Sequence, residues 1–111
     1  MTQVVALTDE ELDTWVHGHP EPLVVEFYSR FCFLCHRLET EVGALAEQLA
    51  DQATAIKVDV TDYPDLATRY ELHTVPTVML FCRGRCYRLA EGRFSKEAVR
   101  RKIAETLADS T

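Results

Sequence analysis

Two thiols separated by two residues, Cys32-Phe33-Leu34-Cys35, are the part of this sequence best suited to chemistry. A helix N-terminus offers spare N–H donors and a partial positive charge, both of which favour the thiolate form of a cysteine placed there. The thiolate is the attacking species in disulfide exchange. On that chemistry Cys32 opens a substrate disulfide and forms a mixed disulfide, and Cys35, one turn deeper, resolves it. Metal sites use the same spacing, so the elements around the pair must decide.

Those elements favour redox chemistry. Leu23–Tyr28 is an apolar run rich in β-branched and aromatic residues, the pattern of a buried strand. From Cys35 onward Leu38, Val42, Leu45, Ala46 and Leu49 recur at helical spacing, so the pair sits where a strand gives way to a helix. Upstream, Thr8 followed by Glu11 forms a capping pattern and predicts a helix to about His17, broken by Gly18-His19-Pro20-Glu21-Pro22. Downstream, residues 54–60 alternate as a strand and residues 63–70 suit a short, irregular helix around Pro64. Residues 77–82 and 86–90 flank Arg83-Gly84 as a hairpin. Ser95 caps a last helix in which Val99, Ile103 and Leu107 step by four along the buried side. With a short first strand at residues 4–6, the order predicts an α/β fold, a central mixed sheet flanked by helices on both faces.

Length and composition narrow the function classes. A chain of 111 residues supports one hydrophobic core and not two, so residues 1–111 are expected to form a single domain. The formal net charge of −6 argues against a nucleic-acid partner, and Arg83, Arg85 and Arg88 read as a solvated edge around a turn. No apolar stretch approaches the roughly 20 residues of a membrane span. The opening residues lack the basic region and apolar run of an export signal, which predicts a cytoplasmic, reducing setting for the four cysteines.

Landmarks along the chain resemble the thioredoxin family in the family's order, from about Val4 to Leu107. They are Leu7-Thr8-Asp9, the Val24 to Tyr28 run, Cys32 and Cys35, Thr74-Val75-Pro76-Thr77, Gly84 and Gly92. The resemblance implies the thioredoxin fold and a cis Val75–Pro76 bond facing the redox pair, with Val75 and Pro76 shaping a substrate groove. It also places Glu26 where thioredoxins hold a buried Asp, and Lys57 at the matching lysine. Desolvation raises the pKa of a carboxyl group in an apolar strand and a nearby ammonium lowers it, so Glu26 is expected to exchange a proton with Cys35 near neutral pH. A Glu26–Lys57 pair with no catalytic part is the alternative.

The chain also departs from the family. Phe31, Phe33 and Leu34 stand where thioredoxins carry Trp, Gly and Pro. Leu34 leaves the turn less pre-organised than proline does, and the three side chains together predict an apolar patch beside the thiols that binds substrate. Thr40 replaces a helix-kinking proline, which predicts a straighter second helix with Gly43 as a soft point. His36 and His73 lie near the pair in sequence, and solvent exposure is the expected state of both.

Cys82 and Cys86 raise the question of a second disulfide or a four-cysteine metal site. A two-residue loop pairs Cys82 with Arg85 and turns Cys86 to the opposite face of the sheet. Strand 77–82 also carries Cys82 some 20 Å from the redox pair, far beyond a shared zinc ion. Free, buried thiols and no metal are the expectation. Function then follows as reduction of protein disulfides by a monomer that needs no bound cofactor, regenerated by a reductase or another dithiol. A protein-binding or chaperone-like module of the same fold, with slow redox turnover, is the alternative.

Overall fold

A computed structural model of the chain describes residues 9–18 and 22–109. The strand expected at residues 4–6 and the Thr8 cap lie outside the described residues. The elements run α1 (Asp9–Gly18), β1 (Leu23–Tyr28), α2 (Phe33–Arg37), α3 (Glu39–Gln48), β2 (Thr54–Asp59), α4 (Pro64–Arg69), β3 (Thr77–Cys82), β4 (Arg85–Glu91) and α5 (Lys96–Asp109).

The four strands form one sheet in the order β2-β1-β3-β4. β1 runs parallel to β2, with Glu26 opposite Lys57, and antiparallel to β3, with Glu26 opposite Val78. Period-two alternation sends Leu23, Val25 and Phe27 to one face, where they pack with Leu12 of α1 and Leu66 of α4. Val24, Val78 and Leu80 meet Leu45 of α3 and Val99 and Ile103 of α5 on the other face. Because helices cover both faces, β1 and β3 are apolar almost throughout rather than alternating. Glu26 and Thr77 are the buried polar exceptions, Glu26 on the face that α3 covers.

Local chemistry sets the boundaries. α4 has proline in its first turn and ends in a Schellman motif: Glu71 takes φ 52°, Leu72 N–H donates to Ala67 C=O at 2.9 Å, and Glu71 N–H donates to Thr68 C=O at 3.4 Å. The β3–β4 turn has φ 53° at Arg83 and 76° at Gly84, the double positive φ of a type I′ hairpin. Cys82 therefore pairs with Arg85, as the two-residue loop requires. Ser95 caps α5, its Oγ accepting from Ala98 N–H at 3.4 Å.

The second helix differs from its expectation. Losing a proline at position 40 does not straighten the segment, which divides at Leu38 into α2 and α3. Leu38 (φ −93°, ψ −1°) shares its N–H between Leu34 C=O at 3.1 Å and Cys35 C=O at 3.2 Å. This is a tightened turn of 3₁₀ character that needs no proline, and Gly43 lies undisturbed inside α3.

Candidate active site

β1 delivers the chain to a turn at residues 29–31, and Cys32 follows as the residue that caps α2. Cys32 N–H donates to Ser29 C=O at 3.0 Å, and His36 N–H to Cys32 C=O at 3.2 Å, which begins the helix. Extended backbone at Cys32 (φ −90°, ψ 114°) folds its side chain back over the first turn, where Sγ accepts Cys35 N–H at 3.1 Å. That donor serves a sulfur carrying negative charge better than a neutral one. The Cys32 thiol also points at Val75 C=O, 3.8 Å away across the chain. The Val75–Pro76 peptide is cis, and Gly92 N–H holds Pro76 C=O at 2.7 Å. Cys32, Cys35, Val75 and Pro76 thus come together.

The two thiols differ in access, and burial acts on the proton of the inner one. Cys32 is half-buried, whereas Cys35 is only 3% exposed. Burial pushes the Cys35 thiol up, the Cys32 side chain and the Glu26 charge push the same way, and the Ser29 N–H pulls it down. One sulfur can meet a substrate. The other needs a base.

Glu26 is 5% exposed, and its pKa rises from 4.5 to about 7 because desolvation outweighs the attraction of Lys57, with Glu39 adding repulsion. Its Oε2 has no hydrogen-bond partner. Lys57 stands opposite in the parallel register, yet its ammonium lies over the Tyr28 ring at 5.1 Å and makes no ion pair with Glu26 within 4 Å among the described residues. A buried carboxyl free of a salt bridge is in a better state to take a proton than a paired one.

Phe31 and Phe33 project into solvent at 77% and 75% exposure on either side of Cys32, and Leu34 beside them is half-buried. Each phenyl ring carries a guanidinium on its face, Arg30 at 5.0 Å from the Phe31 centroid and Arg37 at 5.8 Å from Phe33. His36 and His73 are exposed. His36 Nε2 lies 2.7 Å from Arg30 C=O and Nδ1 3.9 Å from Glu39, so the ring is occupied away from Cys32.

Sequence reasoning missed Ser29, Arg30 and Glu39. Ser29 supplies backbone groups to both cysteines, and Glu39 opens α3 close enough to act on Glu26. A signal for Arg30 was present in the parallel pairing of β1 with β2. That pairing sets Tyr28 beside Asp59, and so brings the turn after one strand to the turn after the other.

The second cysteine pair behaves differently. All four cysteines are free. Cys82 is buried as expected, but Cys86 is exposed, because β4 is the edge strand of the sheet among the described residues. Cys86 pairs with Phe81 and Cys82 with Arg85, so the two thiols face opposite sides.

The thioredoxin family model matches residues 3–105. A thioredoxin of Mycolicibacterium smegmatis is 30% identical over 105 residues, covering 93% of this chain and 94% of that protein. Protein disulfide isomerase-like 1-3 of Arabidopsis thaliana is 35% identical over 86% of this chain, and thioredoxin M3 of rice is 32% identical over 80%. The chain spans 16% and 51% of those two longer proteins. A crystal structure of chloroplastic thioredoxin z superposes with a TM-score of 0.79 over 97% of both chains at 22% identity.

Proposed function

The chain belongs to the thioredoxin family and is a thiol–disulfide oxidoreductase with a Cys-X-X-Cys motif, and from that premise we propose that it reduces protein disulfides through Cys32 and Cys35. One observation carries the division of labour between the two thiols: the accessible sulfur accepts a backbone N–H at a helix start, and the buried one sits within the field of an unpaired carboxyl.

Cys32 attacks one sulfur of the substrate disulfide as a thiolate, and the other substrate sulfur leaves and takes up a proton. Glu26, in its carboxylate form, then accepts the proton of Cys35, whose thiol burial otherwise keeps intact near neutral pH. Cys35 displaces the remaining substrate thiol from Cys32. The protein ends with a Cys32–Cys35 disulfide and the substrate with two thiols. A reductase or a second dithiol restores the pair, a cycle suited to a reducing cytoplasm. Val75 and Pro76 line the approach to Cys32, and Phe31, Phe33 and Leu34 give it an apolar rim.

Insulin reduction by dithiothreitol tests this reading. The wild-type chain accelerates it and Cys32→Ser does not. Equal rates for the two proteins favour the second reading, a docking module of the same fold, for which the two exposed phenylalanines speak.

A further inference from the structure

Arg30 lies two residues before Cys32 and is bound on the far side of the turn. Its guanidinium forks onto Asp62, with Nη1 donating to Oδ2 at 3.0 Å and Nη2 to Oδ1 at 3.2 Å, and Nη1 also donates to Asp59 Oδ2 at 3.2 Å. The other oxygen of Asp59 accepts Thr61 N–H at 2.9 Å and the Thr61 hydroxyl at 2.6 Å. Thr61 Oγ1 lies 2.9 Å from Ser29 Oγ, and Ser29 Oγ accepts Phe31 N–H at 3.2 Å. The turn before Cys32 is thereby tied to the β2–α4 loop through two routes that meet at Asp59.

Single exposed ion pairs contribute little, but a planar fork locked into a chain of hydrogen bonds fixes geometry. The same guanidinium that Asp59 and Asp62 hold lies over the Phe31 ring. An aromatic side chain this exposed loses rotamer freedom when a partner covers it, and ordering it beforehand removes that cost from binding. Leu34 constrains the turn less than proline, so a constraint from outside the turn adds to the local hydrogen bonds that hold it.

We propose that Arg30, clamped by Asp59 and Asp62, is a positioning residue that presents Phe31 beside Cys32 to an apolar side chain flanking the disulfide of a protein substrate. The inference rests on the reductase reading. It assigns Arg30 no contact with the reacting sulfurs, so it bears on substrate binding and not on exchange itself.

The test compares the full chain with Arg30→Lys, which keeps the charge and loses the fork, and Asp62→Asn. The probes are fluorescein-labelled insulin and the small disulfide 5,5′-dithiobis(2-nitrobenzoate). Both variants should raise KM for insulin about threefold or more with kcat within about twofold, and react with the small disulfide at the wild-type rate within the same margin. Phe31→Ala should raise KM similarly, and adding Arg30→Lys to it should change nothing further, because the two side chains act as one unit. Unchanged KM in both single variants, additive effects with Phe31→Ala, or equal slowing of both probes with a lowered Tm overturns the inference. If the wild-type chain itself leaves insulin intact, the reductase reading falls and takes this one with it; if only the variants match wild type, this one falls alone.

Discussion

The chain holds two pairs of free cysteines, and secondary structure treats them in opposite ways. Cys32 and Cys35 straddle the start of a helix, where the backbone folds back and points Cys35 N–H at Cys32 Sγ. Cys82 and Cys86 straddle a two-residue hairpin turn, where the pleat sends one thiol into the core and the other to the opposite face of an edge strand. One extra residue between the cysteines matters less than the period of the element they occupy. Thiol chemistry also needs supporting groups: the first pair has Ser29, Val75 and Glu26, whereas Cys86 is raised by burial, with only the Arg88 charge opposing.

The largest effect separates the pairs by function. Cys35→Ser leaves the nucleophile in place and removes the group that resolves the mixed disulfide, so multiple turnover should fall by about 10²-fold or more while Cys32 accumulates covalently bound substrate. The Cys82→Ser, Cys86→Ser double variant should keep the wild-type rate. Non-reducing electrophoresis with labelled insulin checks both, and a double variant as impaired as Cys35→Ser would erase the distinction.

Glu26 supplies the next effect, because the charge that acts on Cys86 among the described residues is the guanidinium of Arg88 and not a carboxyl. With its pKa raised from 4.5 to about 7, the folded state binds a proton that the unfolded chain releases. The associated stability is fully present below pH 4.5 and is lost as pH climbs through about 7. That shift corresponds to roughly 3 kcal/mol across the interval. Urea unfolding should therefore show wild-type stability declining over this range and Glu26→Gln running flatter. Activity moves the other way: the wild-type rate rises as Glu26 ionises, and the variant should lose that inflection and about tenfold or more in the resolving step at neutral pH. A variant with the wild-type pH–rate profile would reduce Glu26 to a buried structural group.

The fold was legible because its signals are local and periodic. The β1 apolar run and the Arg83-Gly84 turn keep their bounds in the structure, and the helical spacing from Leu38 to Leu49 survives with its ends shifted by a residue or so. Cys32 and Cys35 were legible for the same reason, since a strand end and a helix start fix their places, whereas the cis Pro76 facing them was implied by the resemblance to thioredoxins. The break at Leu38 was not, because it arises from one shared N–H rather than from a residue type. Nor was the position of the Lys57 ammonium. Register predicts that Lys57 neighbours Glu26, but a long side chain chooses its partner in three dimensions, and here it covers Tyr28. Arg30 with Asp59 and Asp62 is a contact between two turns remote in sequence, which only the parallel pairing of β1 and β2 brings together.

The smallest effect belongs to Cys86, and it tests whether the hairpin keeps its cysteines apart. An exposed thiol on an edge strand should be alkylated by iodoacetamide before the buried Cys82, and more slowly than Cys32, whose sulfur accepts a backbone N–H at a helix start. Cys86→Ser removes a small side chain with little packing around it, so stability should change by about 0.5 kcal/mol or less. Mild oxidation should close Cys32–Cys35 and leave Cys82 and Cys86 unlinked, since a bond between opposite faces of one hairpin requires the register of β3 and β4 to slip. Peptide mapping after oxidation reads this directly. A Cys82–Cys86 disulfide formed without loss of the hairpin would mean that the period of the element does not decide which thiols meet.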